Sequence, residues 1–135
     1  MVFVLESPGD NENESDRAMK NPRVIRFEPH GPKDKGLAEW DPIDPAEIES
    51  GTPVQRGHIY HEIPEAGYMA GVWDCTANTL KFGPYPVHEF MFLLEGSVTI
   101  ALADGSQTTV NAGEAFVIPK GLPCQWIQPV GIQHY

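Results

Sequence analysis

Lysine and arginine are scarce in this chain: nine stand against nineteen aspartate plus glutamate, a net charge of -10 with histidine neutral. That imbalance argues against nucleic acid phosphates and anionic membrane surfaces as partners. Cysteine is scarcer still. Cys75 and Cys124 stand far apart, without any CxxC or Cys/His metal spacing, which suits a reducing cytosol better than a disulfide framework. Long hydrophobic runs are missing too. The apolar start, Val2 to Leu5, meets Glu6 at once and is too short for a signal peptide or a bilayer span. The expectation from these absences is a cytoplasmic protein with neither nucleic acid nor membrane as partner.

What is present is turn chemistry. Thirteen glycines and thirteen prolines are scattered over 135 residues, enough for one domain built of many short segments, mostly β. Residues 1–50 hold twelve acidic and six basic residues, and residues 51–135 hold seven and three. The shift marks a boundary. Segment 6–21 has almost nothing apolar to offset the entropy of ordering, so residues 1–21 are expected to be disordered, with Met19 an alternative start. Residues 22–51 read as an extended arm anchored by Trp40, Ile43 and Ile48, with Asp44 capping a helical turn that begins at Pro45. From residue 52 to 135, strands are expected at 57–62, 68–75, 88–95, 97–103, 107–110, 114–118, 123–128 and 131–135. Asp104-Gly105 predicts a two-residue hairpin of type I′, and Asn111-Ala112-Gly113 and Pro119-Lys120-Gly121 predict two further tight turns.

Between Glu89 and Gly121 the spacing becomes specific. Six residues separate Glu89 from Gly96; then Gly113, five residues, Pro119, one residue and Gly121 complete a second pattern. This pair resembles the two signature motifs of the cupin superfamily. The match extends over Trp73-Asp74-Cys75, Glu95-Gly96, Cys124 and Trp126, and is similar to the small single-domain cupins of unknown function related to the ureidoglycine aminohydrolase cupin domain. It covers roughly residues 68–135. The resemblance implies an all-β fold, a small jelly-roll-like cupin β-barrel, here with an extended N-terminal arm. It also implies a homodimer formed through that arm, and one more apolar strand after a His/Tyr pair such as His134-Tyr135. In metal-binding members two histidines precede the glutamate and one follows the last glycine. Here the first pair falls on Phe82 and Pro84, or on Gly83 and Tyr85, and the last position is Cys124.

On a strand, Glu89, Met91 and Leu93 share one face, and Cys124, Trp126 and Gln128 share another. A carboxylate beside Met and Leu is expensive to ionise, so Glu89 is expected either to have a raised pKa or to have a dedicated partner. The expected ligand-binding set is Tyr85, Glu89, Cys124, Trp126 and Trp73, with Glu89 as the catalytic candidate. Each has a bland reading: Glu89 bonded at a strand end, Cys124 a core thiol, the tryptophans filling. His88 should point away from Glu89, and His58 and His61 are weak candidates. No cofactor is expected. If a divalent metal (Mn, Fe, Ni or Zn) does bind, its ligands are Glu89, Cys124 and Tyr85, an unusual mixture of hard and soft donors. The leading functional expectation is a domain that binds a small polar or weakly acidic metabolite at a degenerate metal site. The rival is a metal-dependent hydrolase or isomerase of the ureidoglycine aminohydrolase type.

Overall fold

The structure, a computed structural model, describes residues 1–4 and 22–135. The expectation of disorder over 6–21 lies outside these residues. In chain order the strands are β1 (Val2–Val4), β2 (Ala38–Glu39), β3 (Ile48–Gly51), β4 (Gln55–Ile63), β5 (Tyr68–Cys75), β6 (Asn78–Leu80) and β7 (Gly83–Pro84). They continue as β8 (His88–Glu95), β9 (Ser97–Leu102), β10 (Gln107–Asn111), β11 (Ala115–Ile118), β12 (Pro123–Gln128) and β13 (Ile132–His134). The helical content described is three short 3-10 turns, so the fold is mostly β.

Strand periodicity explains the packing. Along β8 the side chains of Glu89, Met91 and Leu93 turn inward and are buried, while His88 and Phe90 turn outward. Met91 and Leu93 are 0% exposed, and each contributes about 2 kcal/mol of burial. The strands form two sheets. The first contains β2, β4, β5, β13, β1, β8 and β11; the second contains β10, β9, β12, β6 and β3, with β7 pairing the start of β12. One core cluster draws from both, with Trp73, Met91 and Leu93 from the first sheet and Val98, Ile100 and Trp126 from the second. On the outer face of the first sheet Phe90 and Val117, paired across β8 and β11, stay exposed.

The lane between β5 and β8 is filled by two separate pieces of chain. β13 occupies one half, with His134 opposite Trp73 and Leu93. Tyr135 then exchanges backbone hydrogen bonds with Phe92 at 2.9 and 3.0 Å. In the next position Met1 takes over: its carbonyl accepts from Gly71 N at 2.9 Å and its amino group donates to Gly71 O at 3.0 Å. Val2 and Phe3 then face Phe90 and Glu89. The expectation that 1–21 is disordered therefore fails at 2–4, where Val-Phe-Val finds two unpaired strand edges and adds a strand between them.

Other differences are local. The arm carries β2 and β3, which find partners in β4 and β6. The Asp44 cap forms as expected, its Oδ1 accepting from Ala46 N at 2.9 Å ahead of the turn Pro45–Glu47. The hairpin at Asp104-Gly105 is in place, but the turn is not type I′. Gly105 N donates to Leu102 O at 3.1 Å, and only Gly105, at φ +84°, is left-handed there. Type I′ needs a positive φ at both central residues. Asp104 instead uses its Oδ1 to accept from Ser106 N at 2.9 Å, which favours the longer turn ending in a left-handed glycine.

Candidate functional site

A cavity of about 650 Å3 opens between the sheets. Tyr85, Glu89, Cys124, Trp126 and Trp73, the five residues singled out from sequence, all line it. β8 aims Glu89 inward, and β12 aims Cys124 and Trp126 from the facing sheet. Tyr85 sits in the loop after β7, whose backbone is pinned to the Pro119-Lys120-Gly121 turn. Tyr85 N donates to Leu122 O at 3.0 Å, and Gly121 N donates to Tyr85 O at 2.7 Å. That clamp places the Tyr85 hydroxyl 2.5 Å from Glu89 Oε1, to which it donates.

Glu89 is only 5% exposed, and burial pushes its carboxyl up to about 7, against the smaller downward pulls of the Tyr85 hydrogen bond and the Met1 amino group. Burial and the adjoining Glu89 push the Tyr85 phenol well above its ordinary value. Burial also raises the Cys124 thiol, so it stays a thiol near neutral pH rather than a thiolate nucleophile. Cys75, likewise free, is pushed up to about 11 and accepts from Asn78 Nδ2 at 3.5 Å. It belongs to the core.

Sequence reasoning missed several cavity residues. Trp40 comes from the arm: its backbone N donates to Gln55 O at 2.9 Å, and its ring rests on Gly57, where a Cβ would lie 2.3 Å from it. Gln55 in turn accepts from Trp73 Nε1 at 3.1 Å. All three tryptophans of the chain therefore line one cavity. Trp73 and Trp126 meet edge-to-face, with centroids 6.3 Å apart. His134, 1% exposed, lies 4.7 Å from the Trp73 ring, and burial pulls its imidazole down to about 3. Met1 and Phe3 continue its inward alternation along the shared lane. A strict period of two from Ile132 would have put His134 on the inner face. Nothing in the sequence signals that Met1 and Phe3 extend the same row.

The remaining histidines lie elsewhere. His88 points outward and its Nδ1 accepts from Lys120 N at 3.1 Å. On β4, His58 packs against Tyr60 and His61 against Tyr68 of β5, and neither histidine is part of the cavity wall. Among the described residues no three His, Cys, Asp or Glu side chains group so as to hold a metal ion. The set Tyr85, Glu89 and Cys124 fits one poorly on its own chemistry: a metal needs deprotonated donors, and burial favours the protonated form of all three.

Residues 64–130 match the family described as the EutQ-like cupin domain. A structure of a DUF861-family protein of unknown function from Pseudomonas syringae pv. tomato is 33% identical, with a TM-score of 0.69 over 73% of this chain. The chain belongs to the cupin superfamily. This cupin spans 42% of the length of the Pseudomonas protein. It shares its fold with a putative ethanolamine utilization protein Q of Salmonella typhimurium, at 16% identity and a TM-score of 0.52 over 73% of this chain and 74% of that one. It also shares its fold with the polyketide cyclase RemF of Streptomyces resistomycificus, at 17% identity and a TM-score of 0.53 over 83% and 76%. No curated protein matches the cupin.

Proposed function

We propose that this cupin is a small-metabolite-binding domain in which the two sheets form a small jelly-roll-like barrel with a degenerate metal site. One observation carries the reading: three tryptophans, Tyr85, Glu89 and Cys124 converge on a single cavity of about 650 Å3 instead of packing it solid. Such a volume suits a small ligand held by apolar walls and a few placed polar groups. Trp73 and Trp126 offer ring faces and edges, and Glu89 with Tyr85 offers the polar anchor. Saturable quenching of tryptophan fluorescence by some member of a small-metabolite panel, weakened about tenfold or more in Glu89→Gln, is the expected outcome. A flat response across amines, alcohols and acids of cavity size would sink the reading.

A second reading is favoured by the carboxyl of Glu89, which burial brings to about 7. A group poised there, open to a cavity, is suited to take and return a proton in a hydrolase or isomerase. The metal-dependent form of that enzyme, implied by the ureidoglycine aminohydrolase resemblance, separates from the binding domain by elemental analysis. Protein purified without chelators is expected to carry less than one equivalent of Mn, Fe, Ni or Zn. A stoichiometric metal lost in both Glu89→Gln and Cys124→Ser would hand the site to the enzyme reading.

A further inference from the structure

Glu89 lacks a cationic side chain as partner. Its Oε1 accepts from Tyr85, while Oε2 has no hydrogen-bond partner among the described residues and is not sealed from the cavity. The charged groups around it are few. Lys81 lines only the exposed rim, beside Glu47 of opposite sign. The Met1 amino group donates to Gly71 O and is attracted by Glu89, but burial outweighs that attraction and pulls it down to about 5, so it is largely neutral at pH 7. A buried carboxylate without a cation is costly to ionise, and an isolated one invites a partner from outside.

The rest of the wall selects the kind of partner. Trp40, Trp73, Trp126 and Tyr85 present aromatic rings to the same space, and the negative face of such rings attracts cations. The chain's net charge of -10 adds a field of the same sign. An acidic ligand would meet Glu89 as a like charge, and a purely apolar one would leave Oε2 without a hydrogen bond. We propose that the ligand of this cavity is a small organic ammonium, whose N–H groups bond to Glu89 Oε2 while an apolar or aryl body lies against Trp73 and Trp126. The inference rests on the metabolite-binding reading and narrows it to a cation.

Three probes of similar shape test it: 2-phenylethylammonium, 2-phenylethanol and 3-phenylpropionate, titrated against tryptophan fluorescence in the full chain at pH 8. The ammonium is expected to bind about tenfold or more tighter than the alcohol, since a hydrogen bond to a charged group separates them. Glu89→Gln should bring the two within about twofold of each other. Wild-type protein supplies an arm that needs no variant. Between pH 6 and 8 the ammonium should gain about tenfold in affinity as Glu89 ionises, while the alcohol stays level. Tyr85 and Cys124 stay protonated across that range, His134, pulled down to about 3, stays neutral, and the Met1 amino group is already neutral for the most part. If the alcohol equals the ammonium, or 3-phenylpropionate binds tightest, the cation is wrong and the binding cavity stands. If none of the three binds, the cavity reading falls and the cation with it.

Discussion

Gly96→Ala is expected to cost about 3 kcal/mol or more of folding stability, from a backbone strain and a clash that add. Gly96 joins β8 to β9 at φ +79°, a region that costs an L residue about 1–2 kcal/mol. A Cβ there would lie 2.4 Å from the Gly131 carbonyl oxygen and 2.8 Å from Ile132 Cγ2. Neither is the free end of a flexible chain. Gly131 directly precedes β13 and Ile132 opens it, and β13 carries His134 into the cavity wall, so relief must come from moving that strand or the β8–β9 connection between the two sheets. Gly105→Ala provides the control, because its φ of +84° is similar and nothing lies within 4 Å of the added carbon. In urea unfolding the midpoint of Gly96→Ala should fall by much more than that of Gly105→Ala, with the slope unchanged in both. Equal losses would show that β13 yields freely and that the cavity wall is softer than its packing suggests.

Gly96 was visible in the sequence because its motif fixes both a turn and a distance from Glu89. The strands around it were equally legible. His88–Glu95, Tyr68–Cys75 and Pro123–Gln128 form at the expected bounds, since each carries a clear alternation between a turn on either side. Period two then delivered the inward rows, including Glu89 with Met91 and Leu93. The turn type at Asp104 was harder to read, because Asp-Gly serves two hairpin loops and the choice depends on a side-chain bond to Ser106. The lane between β5 and β8 was beyond reach. Its inner row runs His134, Met1, Phe3, and no window along the chain contains all three. Trp40 was identified as an anchor of the arm, yet its place in the cavity depends on a glycine at 57 that leaves room for the ring. Pairwise contacts between segments remote in sequence decide such positions, and local propensity does not encode them.

The proton on Glu89 is expected to make folding stability depend on pH in a direction opposite to that of an ordinary paired carboxylate. In the fold the group is pushed up to about 7, from an ordinary value of 4.5. Between those values the native protein holds a proton that the unfolded chain has released, so stability declines as pH rises through the window. The full decline is about 3 kcal/mol. Two other groups act in the reverse sense. His134, pulled down to about 3 from 6.5, and the Met1 amino group, pulled down to about 5 from 8, both add stability as pH rises across their own windows. The raw curve of the wild type between pH 4.5 and 6.5 therefore mixes opposing slopes and looks flatter than any one group would make it. Subtracting the curve of Glu89→Gln isolates the carboxyl. Glutamine keeps the shape and the acceptor for Tyr85 but cannot ionise. The wild type should lose about 3 kcal/mol relative to this variant between pH 4.5 and 7, with most of the change complete by pH 7. Parallel curves would mean that Glu89 ionises in the fold at its ordinary value, and the desolvated, unpaired carboxylate on which the ammonium site depends would not exist.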